Sequence, residues 1–321
     1  MRAFHSDHFV LPLPPGHRFP MGKYRLLRES CEADPGGIVL SEAPAATDGE
    51  LALAHEPAWI DAVVGGTTSL QEQREIGFPW SERMVERARR SVGATIEAAR
   101  VALLAGDGVA ANLAGGTHHA YAHRGSGYCV FNDVAVAARL MQAEWHRATG
   151  RPAATARQLR VIVIDLDVHQ GNGTASIFRD DPSVFTFSVH GARNFPFRKE
   201  ASDLDIELAD GCRDEEYLRA LGDGLQACAQ RTASTPPGLA FYLAGADPHE
   251  NDRLGRLRLS QDGLAERDRV VFEWLRKRRI PVAVSMAGGY GRDIATTVAI
   301  HRRTLALACA SWSSWQAESR G

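Results

Sequence analysis

The stretch Arg160–Gly173, RVIVIDLDVHQGNG, limits the folds open to this chain more than any other. Val161, Ile162, Val163 and Ile164 form a β-branched run without polar alternation, the pattern of a strand covered on both faces. The run then releases Asp165, Asp167 and His169 at alternate positions. Alternate residues of a strand share one side, so all three can point into one site at the strand's carboxyl end. Gly171 and Gly173 let the backbone turn tightly beneath whatever they hold. A single polar residue here is as well explained as a cap on the next helix. Three on one side, ahead of two glycines, point to a divalent metal, with zinc the usual ion where imidazole takes part.

The remaining chain repeats this layout. A Pro-rich segment, LPLPPGHRFPMGKY from Leu11 to Tyr24, excludes helix and central strand and reads as a long surface loop in which His17, Arg18 and Lys23 are more simply solvated than functional. Gly36–Leu40 reads as a short strand. From Ser81, Met84, Val85, Ala88, Val92, Ile96, Ala99 and Leu103 recur at helical steps. Val109–Leu113 is a small-residue strand that delivers Gly115-Gly116-Thr117-His118-His119. Asn132 or Asp133 can cap a helix through Trp145, and His146–Gln158 reads as a loop or ragged helix end. Further strands are expected at Val184–Val189, Leu239–Ala244 and Pro281–Met286, with a short excursion at Asp203–Glu207. Helices are expected at Asp214–Cys228, after Ser260, and from Arg292 to Ala310, leaving 311–321 as a poorly ordered tail. The basic run Arg276–Arg279 is simplest as a helix C-terminus complementing its dipole.

Strands alternating with helices call for a single three-layer open α/β domain, with a largely parallel sheet between two helical layers. Such sheets bind ligands outside the carboxyl ends of their strands. Four of those ends carry His118 and His119, then Asp165, Asp167 and His169, then Asp247, then Tyr290. Their convergence would make one active site for metal-assisted hydrolysis. Asp167, His169 and Asp247 would hold the ion and leave a position open, and a bound water then loses its proton near a pKa of roughly 7. An imidazole of the His118–His119 pair would move the proton, Tyr290 would donate to the developing oxyanion, and Asp165 would orient an imidazole. Cys129 reads as a packed residue lining the site.

Composition narrows the function classes. A net charge of −2 and a pI near 6.6 argue against bulk attraction to nucleic acid or an anionic membrane. No apolar run approaches a bilayer span, and the first residues lack a signal-peptide pattern. Five scattered cysteines, never spaced C-x-x-C, fit a reducing cytoplasm and exclude a cysteine-built zinc site.

In order, HRFPMGKY, GGTHHA, GSGYCVFND, DLDVHQGNG, AGADPHENDRLG and AGGYG resemble the histone deacetylase superfamily over nearly the whole chain, closest to its class IV branch and bacterial relatives. The resemblance implies an arginase-like open α/β fold, with Asp167, His169 and Asp247 as ligands of zinc or ferrous iron. It implies His119 as general base and acid, His118 with Asp165 as an electrostatic partner, and Tyr290 polarising the acyl carbonyl. Tyr128 and Phe195 would wall the tunnel for the lysine alkyl chain, with Gly127 and Gly289 beside the substrate. A potassium ion would fall on Asp165, Asp167, His169, Ser188 and Val189. Asn172 stands where class I members place an Asp behind the second histidine, so His119 should be oriented but less basic. The expected substrate is an acylated lysine of a protein or peptide, acetyl or longer; a small acylated amine is the alternative. A non-catalytic acyl-lysine module would have lost Tyr290 or a ligand. A two-manganese ureohydrolase would want further acids near Asp247, where Pro248 stands instead.

Overall fold

The computed structural model describes residues 1–148 and 158–320. Eight strands, β1 Arg2–His5, β2 Val39–Glu42, β3 Val109–Asn112, β4 Val161–Asp165, β5 Val184–Gly191, β6 Leu204–Leu208, β7 Leu239–Leu243 and β8 Val282–Ser285, form one sheet in the order β2-β1-β3-β8-β7-β4-β5-β6. Every neighbouring pair is parallel. Among the described residues the α-helices are α1 Gly22–Ala33, α2 Asp48–Leu51, α3 Pro57–Val64, α4 Leu70–Ile76, α5 Glu82–Ala99 (continued by a π-helical turn, Arg100–Leu104), α6 Asp133–Ala148, α7 Asn172–Phe178, α8 Asp214–Arg231, α9 Gln261–Lys277 and α10 Ile294–Arg320.

The two-faced burial expected of β4 is realised residue by residue. Val161 and Val163 join a core cluster with Val92 and Ile96 of α5 and Val134 and Met141 of α6. Ile162 and Ile164 join the opposite cluster, with Leu221 of α8, Val271 of α9 and Leu305 of α10. Each fully buried aliphatic side chain contributes roughly 1.5–3 kcal/mol by leaving water. Helix starts follow their caps: Ser81 Oγ accepts from Met84 N at 3.1 Å, Asn132 Oδ1 from Ala135 N at 2.9 Å and Ser260 Oγ from Gly263 N at 2.9 Å.

The chain's first residues form a strand, β1, set between β2 and β3. Two expectations are corrected. The loop Leu11–Tyr24 is not wholly a surface feature: Leu11, Phe19, Lys23 and Tyr24 are buried, and α1 begins at Gly22. The tail is not loose: α10 continues to Arg320, Trp315 packs on Gly108, and Arg276 and Arg279 of the basic run pair with Glu318. The Ser-rich text of 311–314 hides this, because one buried indole supplies the anchor. The loop expected over His146–Gln158 lies mostly outside the described residues, although α6 itself runs to Ala148.

Candidate active site

The four strands singled out by their ends, β3, β8, β7 and β4, are consecutive in the sheet. Their carboxyl ends therefore open onto one crevice. There Asp167, His169 and Asp247 bring one ligand atom each within 4.8 Å of the others, all buried. His169 Nδ1 lies 2.9 Å from Asp167 Oδ1 and 3.2 Å from Asp247 Oδ2. Those separations approach the roughly 3.3 Å edge of a tetrahedron with ~2.0 Å bonds. Backbone N–H groups hold the carboxylates, Asp167 Oδ2 accepting from Gly288 N at 2.8 Å and its Oδ1 from His169 N at 2.9 Å, and Asp247 Oδ1 from Val168 N at 2.9 Å. Apart from that approach of His169 Nδ1, Asp247 Oδ2 is a buried acceptor with no hydrogen-bond partner. A Cβ on Gly288 would stand 2.0 Å from that oxygen, so only glycine leaves the cradle free.

The electrostatics say the same. Burial, then the charge of Asp167, raises the Asp247 carboxyl to about 7. Burial opposes charge on His169, but its bonds to Asp167 and Asp247 outweigh this and lift it to about 10. Asp167 also feels burial, yet the charges of His118 and His169 hold it well below the usual carboxylate range. Two dry carboxylates facing one point draw in positive charge, and two oxygens with one imidazole nitrogen suit zinc or ferrous iron. Among the described residues no second group of this kind occurs, as a one-metal site requires.

The histidine pair stands beside these ligands, ring centroids 4.1 Å apart. His118 Nδ1 meets Asp165 Oδ2 at 2.7 Å, and His119 Nδ1 meets Asn172 Oδ1 at 2.7 Å. The two environments push the rings apart. Burial lowers both, but at His118 the Asp165 and Asp167 carboxylates prevail and lift it to about 9. At His119 the cationic His118 and His169 add to burial, leaving the ring far below its ordinary value and neutral. Burial, together with the charges of Asp167 and Asp247, raises the Tyr290 phenol well above its usual range, so it remains a donor.

Several positioning residues escaped the sequence reading. Asp133 does not cap α6. It reaches back to Gly116 N at 3.0 Å and to Thr117 N and Oγ1, both at 2.8 Å, fixing the turn that presents the histidines. Asp252 accepts from Tyr290 N at 2.6 Å. Lys23 is buried and donates to Ala287 O at 3.1 Å and Gly289 O at 3.3 Å. Arg267, wholly buried, donates through Nη1 to Gly245 O at 2.6 Å and Leu166 O at 3.3 Å, next to both metal-ligand turns. Only Asp252 carried a visible signal, its place in the NDRLG motif. The others are ordinary helix residues until the fold brings them home.

A cavity of about 560 Å³ leads from the surface to His119, His169 and Tyr290. Tyr128 and Phe195 line it, Phe195 edge-on to His119 at 4.9 Å. Gly127, at φ 51°, shares the wall because a Cβ would meet His119 at 2.6 Å. Gly289 does not line it: its α-carbon faces Thr297 and His301, and its neighbour Gly288 lines the smaller cavity behind. A smaller cavity, about 70 Å³, lies behind the pair and includes Cys129 in its lining. Ser188 is the register partner of Asp165, and its Oγ lies 2.9 Å from His190 Nδ1; Val189 follows, buried.

Comparison with known proteins gives the family and the fold. A family profile described as histone deacetylase domain matches residues 17–305. An uncharacterised protein of Picosynechococcus is 42% identical over 93% of this chain and 95% of its own length. Histone deacetylase 2 of Arabidopsis thaliana is 36% identical over 69% of this chain and 54% of its own, and the acetoin utilization protein AcuC of Bacillus subtilis 30% over 79% and 65%. The chain thus spans only part of the latter two. The crystal structure of a deacetylase homologue from Aquifex aeolicus shares the fold, with a TM-score of 0.76 at 22% identity over 98% of this chain and 84% of that one.

Proposed function

This chain belongs to the histone deacetylase family, and from that premise we propose that it is a zinc-dependent amidohydrolase, ferrous iron being the alternative ion, that removes an acetyl or longer acyl group from an amine, foremost the ε-amine of lysine in a protein or peptide. The carrying observation is the buried Asp167–His169–Asp247 cluster with an orphaned carboxylate oxygen, beside a charged His118 and a neutral His119. The ion, when bound, polarises the acyl carbonyl and acidifies a water.

His119, neutral and held at Nδ1 by Asn172, has Nε2 to take the water's proton and to return it to the leaving amine. His118, kept cationic by Asp165, stabilises negative charge developing nearby without itself titrating near neutral pH. Tyr290 donates its phenolic proton as a hydrogen bond to the carbonyl oxygen as that oxygen becomes anionic. Tyr128 and Phe195 confine the alkyl chain and exclude water along the tunnel, with Gly127 beside it. A group longer than acetyl would use the inner cavity, where Leu11, Phe19, Phe78 and Met84 offer apolar wall. Asp165, Ser188 and Val189, with backbone oxygens of Asp167 and His169, are the residues proposed for a structural potassium ion; the Asp165–Ser188 register supports that grouping.

The test is turnover of an acetyl-lysine peptide by protein carrying about one metal per chain. Chelation should abolish it, and Tyr290→Phe should lower kcat by about 10²–10³ with metal content unchanged. Turnover at the wild-type rate in Tyr290→Phe would remove the mechanism, and metal-loaded wild type without turnover would leave a binding module.

A further inference from the structure

The outer end of the tunnel is cationic, in a chain whose net charge is −2. Five arginines line the outer cavity, Arg18, Arg74, Arg193, Arg253 and Arg256, against one carboxylate, Glu75. Arg256 pairs with Asp210 at 3.0 Å. The other four have no carboxylate partner among the described residues, whereas surface arginines elsewhere are commonly paired, as Arg25 is with Glu29 and Arg269 with Glu266 and Glu273. They come from separate segments: the Pro-rich loop, α4, the loop after β5, and the loop after β7. Arg253 is the best fixed, donating Nε to Tyr290 O at 2.9 Å and Nη2 to Arg18 O at 3.1 Å. Those bonds tie two of the guanidinium-bearing segments to the residue that would touch the scissile carbonyl. All four guanidiniums are exposed, so they cost little to keep charged and can be neutralised only by something that arrives.

Resting on the hydrolase reading above, we propose that the preferred substrate is an acyl-amine whose far end presents carboxylates to this rim. It is not a polyamine or a lysine flanked by further basic residues. A tunnel that admits a neutral acyl-alkyl segment leaves the next charged group of the substrate at the mouth these arginines line, where exposed charges still interact over about one Debye length (~8–10 Å). An ammonium or guanidinium there meets uncompensated like charge, and a carboxylate meets complementary charge. Two sources supply that chemistry, Glu and Asp residues flanking an acyl-lysine in a protein, and the α-carboxylate of a free Nε-acyl-lysine.

The experiment uses the full-length, metal-loaded protein and compares kcat/KM for matched acetyl-lysine peptides flanked by Glu/Asp or by Lys/Arg. A second pair is free Nε-acetyl-lysine against acetylcadaverine, its counterpart without the carboxylate. The acidic peptide, the free amino acid, or both should be favoured by about tenfold at low salt, mostly through KM, shrinking as salt rises. Which pair shows the preference identifies the source. In the double variant Arg74→Glu/Arg193→Glu the acidic-to-basic ratio should fall below one, a comparison internal to each protein and insensitive to its folded fraction. Equal or basic-favouring ratios in the wild type overturn the proposal while leaving the hydrolase intact. Absence of turnover with all four compounds, and with the myristoylated form of the acidic peptide as well, overturns the hydrolase reading instead.

Discussion

Replacing Asn172 by aspartate alters one charge beside His119 and almost no volume. In the wild type, Asn172 Oδ1 sits 2.7 Å from His119 Nδ1, its Nδ2 donates to the Tyr121 hydroxyl at 2.9 Å, and both Asn172 and His119 are buried. A carboxylate there would place a negative charge about 4 Å from the imidazolium centre, an attraction of about 4 kcal/mol at an effective dielectric near 20. Burying the new carboxylate opposes this, although the Tyr121 hydroxyl can turn to donate to it. Allowing for that cost, the acid limb of kcat/KM should move up by about 1–2 pH units, at 1.36 kcal/mol per unit. The sign follows from the role. A base works unprotonated, so activity falls as pH drops through its pKa; burial and the cationic His118 keep His119 well below the ordinary range. The variant should therefore lose activity from a higher pH downward while keeping its rate on the plateau within a few-fold. The assay is kcat/KM against pH with one acetyl-lysine peptide. An acid limb unmoved within 0.2 (roughly the error of such a fit) would mean that His119 is not the proton acceptor, since no other route hides a charge at 2.7 Å.

Removing the metal with a chelator should lower stability by about 2.7 kcal/mol relative to protein held at a free zinc concentration a hundredfold above Kd, read as a fall in Tm; Asp247→Asn should abolish most of that difference. His55 is held neutral, burial pushing it to about 4, while its Nε2 accepts from Asn132 N at 2.8 Å. Because the folded value lies below the ordinary 6.5, stability is intact above pH 6.5 and is lost as pH falls towards 4. Urea midpoints should show wild type losing about 2–3 kcal/mol more than His55→Gln between pH 7 and 4.5. Arg267→Met would strand the Asp268 carboxylate, which also accepts from Tyr242 and Thr304, and should cost about 3–5 kcal/mol in denaturant unfolding. Little or no loss there would show that the pair is replaceable by apolar packing.

Local pattern was enough to read the layered α/β fold, the strand end bearing Asp165, Asp167 and His169, and the helix starts at Ser81 and Ser260. Alternation along a strand and side-chain capping depend on residues a few positions apart, and both are written in consecutive letters. That His118, Asp247 and Tyr290 share one crevice with that strand end was an inference from their positions after strands, and it became geometry only with the order β3-β8-β7-β4. Strand order depends on which faces bury which partners over hundreds of residues, and no short window carries it. The same reason explains β1, whose RAFH is unremarkable until β2 and β3 cover its edges. Lys23, Asp133 and Arg267 look like solvated or capping residues because their hydrogen-bond partners, at Gly289, Thr117 and Gly245, lie far along the chain. The arginine rim is the extreme case: four single cations in four separate segments become one electrostatic feature only where folding sets them around a common opening.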